Sequence, residues 1–143
     1  MSRVDFYILG GPGAALRERF ACRLAEKAYE SGYGVLLLTE DDEQSERLDA
    51  LLWTFRQGSF VPHATLAARD GEPVAVGRDE HAADDAVLVN LTERTPATWQ
   101  ARQRVAEVVD QREAVLRASR QRYRLYKEAG CEPHTHRIEE GRR

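Results

Sequence analysis

The chain has 143 residues and a mass of 16.2 kDa, the size of one domain and long enough to bury a core without disulfides or metals. It is 42% hydrophobic and 31% charged, with a net charge of −3 and a pI near 5.8. That balance argues against whole-chain disorder, and no apolar run exceeds four residues, as in Val35–Leu38, far short of the roughly 20 residues of a membrane-spanning helix. The acidic balance also disfavours strong binding to phosphate backbones, so little direct nucleic-acid binding is expected. Cys22 and Cys131 stand far apart and outside any CxxC pair. They read as reduced thiols, and with no signal-like segment at the start the expected compartment is the cytoplasm.

Residues 4–9 are rich in β-branched and aromatic side chains and predict a buried strand, closed by Gly10-Gly11-Pro12-Gly13. Residues 14–31 have helical spacing through Leu16, Phe20, Leu24 and Ala28, with Gly32 as a stop. Val35–Thr39 is apolar without alternation, as in a parallel strand covered on both faces. Asp41 or Asp42 caps a second helix with the stripe Leu48, Leu51, Leu52 and Phe55. Phe60–His63 is extended, and residues 64–85 read as loop with a short edge strand near Val74–Val76. Residues 86–91 and 105–109 are further strands, the second read as the last of the sheet. Asp110 and Glu113 then suggest a capping box opening a helix that runs to about Ala129. The alternation predicts an α/β three-layer sandwich, Rossmann-like, with a mostly parallel sheet and helices on both faces. Residues 1–130 form one domain in this reading, and 131–143 a flexible tail.

Catalytic signals are thin. Gly11-Pro12-Gly13 and Glu40 imitate part of a dinucleotide site, but Leu16 replaces the third small residue and Pro12 removes an N–H donor. No Gly-Lys-Ser/Thr and no Gly-x-Ser-x-Gly occurs. The acidic run Glu40–Glu43 reads as a helix-start neutraliser. His134-Thr135-His136 lacks a third ligand nearby. No catalytic residue, cofactor or metal is expected. A small nucleotide-dependent enzyme using the Gly11–Gly13 turn stays open as the alternative.

The last helix carries more information. On a wheel, Arg117, Arg120, Arg124 and Lys127 share an arc of about 80°. Leu116 and Tyr123 lie beside that arc, while Val115, Ala118, Leu125, Tyr126 and Ala129 form the face expected to dock on the sheet. Arg122 falls inside the apolar arc and has no explanation in the pattern. Cations bordering an apolar shelf suit an acidic peptide that ends in an aromatic residue. Phosphate backbone with Tyr123 as a stacking surface is the other candidate, and a plain solvated face the third.

Several segments together carry a family likeness. They are Phe6-Tyr7, Ser31-Gly32, Val35–Leu38 with Thr39-Glu40-Asp41, Arg47-Leu48-Asp49, Leu52-Trp53, Ser59-Phe60-Val61-Pro62-His63, and Arg120–Tyr126 with Ala129-Gly130. In these the chain resembles the chi subunit family of bacterial DNA polymerase III holoenzyme, from the first strand to Gly130. The resemblance implies a non-catalytic accessory protein of the clamp-loader complex with a nucleotide-binding-like fold. It implies pairing with a psi subunit and a grip on the acidic C-terminal tail of single-stranded DNA-binding protein. Arg120, Tyr123 and Arg124 match the family's tail-binding positions, with Leu116, Arg117 and Lys127 added from the wheel. Trp53 and Phe60, with Val61 and Pro62, match a surface that faces psi, for which a repair helicase competes.

Overall fold

Short runs of valine and leucine build the sheet, and their burial on both sides fixes the layering. In the computed structural model, which describes residues 2–139, the strands are β1 (Arg3–Leu9), β2 (Val35–Leu38), β3 (His63–Thr65), β4 (Val74–Gly77), β5 (Val87–Asn90), β6 (Arg104–Val109) and β7 (His134–Ile138). The helices are α1 (Ala14–Glu30), α2 (Asp42–Thr54) and α3 (Glu113–Glu128). The strands form one seven-stranded sheet in the order β3-β4-β2-β5-β6-β1-β7, and every adjacent pair is parallel.

Alternation along each strand splits the core in two. Val35 and Leu37 of β2 face the layer of α1 and α2, while Leu36 and Leu38 face α3. A strand sandwiched this way gains from apolar residues at every position, which is why β2 shows no polar alternation. α1 packs on β2, β5 and β6, and α2 on β3 and β4. α3 packs on β6 from the opposite side, through Val115 and Tyr126. The α/β sandwich with helices on both faces is therefore present.

Three local readings change. β4 is not an edge strand, because β3 pairs outside it. The capping box at Asp110 and Glu113 does not form. Asp110 instead accepts the Arg112 backbone N–H at 2.8 Å and clamps the Arg112 guanidinium at 2.7 Å, so α3 starts after an Arg112 N-cap. The largest change concerns the tail. His134–Ile138 form β7, which pairs in register with β1, Asp5 opposite His134 and Leu9 opposite Ile138. The domain thus extends beyond residue 130 and β6 is not the last strand. Residues 140–143 of the expected tail lie outside the described residues.

A buried carboxylate fastens β7. Asp5 receives Arg3 at 3.1 Å, Arg104 at 3.1 Å and His136 Nε2 at 2.8 Å. The His136 ring also stacks on Tyr7 at 4.8 Å. Burial alone would raise the Asp5 carboxyl, but the hydrogen bonds from Arg3, His136 and Arg104 outweigh it and hold it below the ordinary aspartate range. A depressed carboxylate stabilises the fold above its unfolded pKa, and that stabilisation is lost as the pH falls through the folded value. Asp5→Asn is expected to cost about 1–3 kcal/mol at pH 7 and to flatten the acid-side fall of the melting temperature, as read by thermal melts at neutral and acid pH. A melting curve unchanged at both would remove this role from Asp5.

Candidate partner-binding surfaces

The rotation of α3 about its own axis decides which side chains face solvent. Its buried stripe is Val115, Ser119, Arg122 and Tyr126, the spacing of one helix face. Arg122 is only 2% exposed. Its Nε donates to Glu107 Oε1 at 3.0 Å and its Nη1 to the Glu93 carbonyl at 2.8 Å. The Tyr126 hydroxyl donates to Glu107 Oε2 at 2.6 Å, and Asn90 Nδ2 reaches the same carboxylate at 3.1 Å. Burial pushes the Glu107 carboxyl up, and Arg122, Tyr126 and Asn90 all oppose it. Burial and the adjacent Glu107 push the Tyr126 phenol up, keeping it a donor. The Tyr126 ring meets Trp99 edge-on at 5.0 Å and Phe6 at 5.9 Å. The misfit arginine of the wheel is thus the partner of a glutamate in the middle of β6.

With that stripe held, the basic row points outward. Arg120 and Arg124 are exposed, and neither makes an ion pair among the described residues. Tyr123 and Leu116 are half-buried beside them, the Tyr123 ring 5.4 Å from Phe6. The two outer cations are less free than the sequence suggests: Arg117 lies 3.6 Å from Glu113 and Lys127 3.7 Å from Glu132. Leu125 and Ala129, expected on the docking face, are exposed instead, Leu125 by 52%. The stripe is centred between Val115 and Tyr126, which leaves Leu125 on its flank.

A second patch sits where α2 meets β3. Trp53 is 57% and Phe60 65% exposed, with ring centres 6.0 Å apart. Beneath them the buried His63 bonds the Val61 carbonyl at 2.7 Å and the Asp49 carbonyl at 2.9 Å, tying the strand to α2. Trp53 rests on that ring at 4.7 Å. Val61 itself belongs to the core at 1% exposure, so it cannot present its side chain to a partner. Pro62 is half-buried.

The glycine turn lies apart from both surfaces in chemistry. Gly13 N-caps α1 at φ 124°, with no side-chain cap. Arg17 in the first turn donates to the Val108 carbonyl at 2.8 Å. Glu40 accepts the Glu93 backbone N–H at 3.0 Å, which ties together the loops after β2 and β5. Among the described residues no group of three or more His, Cys, Asp or Glu side chains could hold a metal, and no helix is long and apolar enough to cross a membrane.

Residues 1–134 match the family model described as DNA polymerase III chi subunit, HolC. The chain belongs to the chi family. It is 41% identical over 140 residues to DNA polymerase III subunit chi of Pseudomonas aeruginosa, covering 96% of this chain and 98% of that protein. It is 30% identical over 138 residues to DNA polymerase III subunit chi of Escherichia coli (strain K12), covering 91% and 94%. Chi is a non-catalytic accessory subunit of the DNA polymerase III holoenzyme. Among solved structures, the crystal structure of T4 UvsW matches with a TM-score of 0.65 at 8% identity, over 96% of this chain and 41% of that one. At that identity the likeness is one of fold.

The Glu107–Arg122 pair escaped the sequence reading, although two misfits signalled it: an acid inside the apolar β6 run and a cation inside an apolar helix arc. Removing one partner leaves the other charge buried. Arg122→Ala is therefore expected to cost about 3–5 kcal/mol in urea unfolding, and the double variant Glu107→Gln/Arg122→Met to recover part of that loss. If Arg122→Ala unfolds like the parent chain, the pair does not hold α3.

Proposed function

We propose that this chi-family chain is a tether. One surface, the outer face of α3, receives the acidic C-terminal tail of single-stranded DNA-binding protein. The second, Trp53 with Phe60, docks the psi subunit. The observation that carries the first assignment is that Arg120 and Arg124 are adjacent, exposed and without an ion pair among the described residues, bordered by the half-buried Tyr123 and Leu116.

On a helix, residues four apart stand roughly 6 Å from one another, so the two guanidinium groups reach a terminal carboxylate and a neighbouring aspartate together. The apolar side chain that ends the tail lies against Tyr123 and Leu116. Arg117 and Lys127 flank the site, each already near a surface glutamate, and add long-range attraction more than contact. α3 is pinned before the tail arrives, which lowers the ordering cost of binding. A contact this small is weak alone, on the order of micromolar, and gains strength where many tails are displayed together.

The second assignment rests on exposure. Large aromatic side chains left open to solvent as a pair are characteristic of partner contacts. A repair helicase competing for this patch would meet the same two rings, with Pro62 at its margin. Val61 contributes by holding the strand from below.

Calorimetric titration with an acidic peptide ending in phenylalanine is expected to release heat, to weaken as salt rises, and to lose the signal in Arg124→Glu. Titration of NAD or ATP in the same cell is expected to be silent. Nucleotide binding unaffected by Arg124→Glu would instead support the enzyme reading of the Gly11–Gly13 turn. For the second surface, Phe60→Ala is expected to leave the melting temperature nearly unchanged while abolishing pull-down of psi. A large loss of stability with psi binding intact would make Phe60 a structural residue.

A further inference from the structure

The sheet has one face only partly covered. α1 packs on β2, β5 and β6, and α2 on β3 and β4. At the other end of the same face, β1 and β7 have no helix laid over them among the described residues. α1 reaches β1 through Phe20, whose ring lies 5.5 Å from Tyr7. The gap is part of a groove of about 1070 Å³ that runs along α1. Phe20 and Leu24 of α1 form its wall, and Tyr7, Ala106 and Ile138 its floor. All but Ala106 are half-buried, so the apolar lining is open to solvent.

The dimensions of the gap suggest its occupant. Adjacent strands are about 4.8 Å apart, so the strip from β6 to β7 is roughly 10 Å wide. An α-helix with its side chains is about 10–12 Å across. The seven residues of β1 run roughly 23 Å, the length of about 15 helical residues. The strip therefore has the footprint of one additional helix, the one that would complete this layer.

Charge sets its chemistry. Asp5 is buried beneath Arg3 and Arg104, and Arg104 remains partly exposed on one side of the groove. Across from it Arg23 and Lys27 of α1 make no ion pair among the described residues. Arg23 lies over the Phe20 ring at 5.7 Å. The exposed acids that line the groove are Glu30 and Glu139. On a chain of net charge −3 this is a locally cationic border.

We propose that this strip is a docking site for one amphipathic helix of a partner protein, apolar on one face and flanked by carboxylates that meet Arg23 and Lys27 on one side and Arg104 on the other. It lies on the opposite face of the sheet from α3 and at the opposite end from Trp53 and Phe60. It stands independently of the tether reading.

The probe is a fluorescein-labelled peptide of about 16 residues, with leucines at i, i+3, i+4 and i+7 and glutamates on both flanks. A scrambled peptide of the same composition, a lysine-flanked version and an oligothymidylate are the other arms. The glutamate-flanked peptide is expected to bind, to gain helical circular dichroism, and to slow hydrogen exchange in residues 3–9 and 16–28 but not 113–128. Arg23→Glu/Lys27→Glu, and Ala28→Trp placed to fill the groove, are expected to weaken binding about tenfold or more. Arg124→Glu, with α3 unchanged in fold, is expected to leave it intact. Melting curves confirm that each variant folds. Failure of the glutamate-flanked peptide to bind, equal binding of the scrambled peptide, protection confined to α3, or retention of the oligothymidylate in its place would each overturn the proposal.

Discussion

A glutamate buried in the middle of a β-strand needs donors from somewhere, and in this chain α3 supplies most of them. Glu107 gathers Arg122, Tyr126 and Asn90. Two of these are on α3, so the carboxylate fixes both the height and the rotation of that helix against the sheet. An apolar interface alone would let a helix roll by small angles, because dispersion contacts are non-directional. A buried ionic contact does not permit that, since any roll that separates Arg122 from Glu107 leaves a charge in a medium of low polarity. The outward direction of Arg120, Tyr123 and Arg124 follows from that constraint. The exposed basic face of α3 is thus aimed by a carboxylate buried beneath the helix.

The same arrangement explains how an acidic protein presents basic surfaces. Asp5, Glu26, Glu107 and Asp110 are buried carboxylates, each covered by arginine. Burial removes the negative charge from the surface and leaves the outer part of several guanidinium groups in solvent. Net charge, a property of the whole chain, then says little about any one face. The nucleotide-binding-like layering serves as a scaffold for such faces. Glu40, which follows β2 where a dinucleotide enzyme would place its ribose-binding acid, instead closes the loop after β2 onto the loop after β5.

Most of the fold was legible because periodicity reports burial. β1, β2, β5 and β6 are apolar runs and α1 to α3 carry apolar stripes, so all were placed to within a residue or two. β7 was not legible. His134, Thr135, His136 and Arg137 are polar, and the strand is held by Asp5 and Tyr7, residues that stand near the other end of the sequence. No local pattern encodes such a contact. The basic row on α3 was visible on a wheel, whereas the ion pairs of its outer members with Glu113 and Glu132 depended on rotamers and the turn after the helix. Val61 shows the converse limit. Its neighbours Phe60 and Pro62 reach the surface, and strand alternation turns Val61 inward.

The pairing of β7 with β1 sets an order on the birth of this protein. Of the seven strands of this sheet, β1 leaves the ribosome before the others and acquires its outer neighbour only after Ile138 has followed it. Until then β1 is an open edge, with one row of backbone donors and acceptors unanswered and the Asp5 carboxylate short of its histidine. Completion of the sheet is therefore a late event with a very long chain closure, and the interval before it is when the nascent chain is most open to pairing with a neighbour.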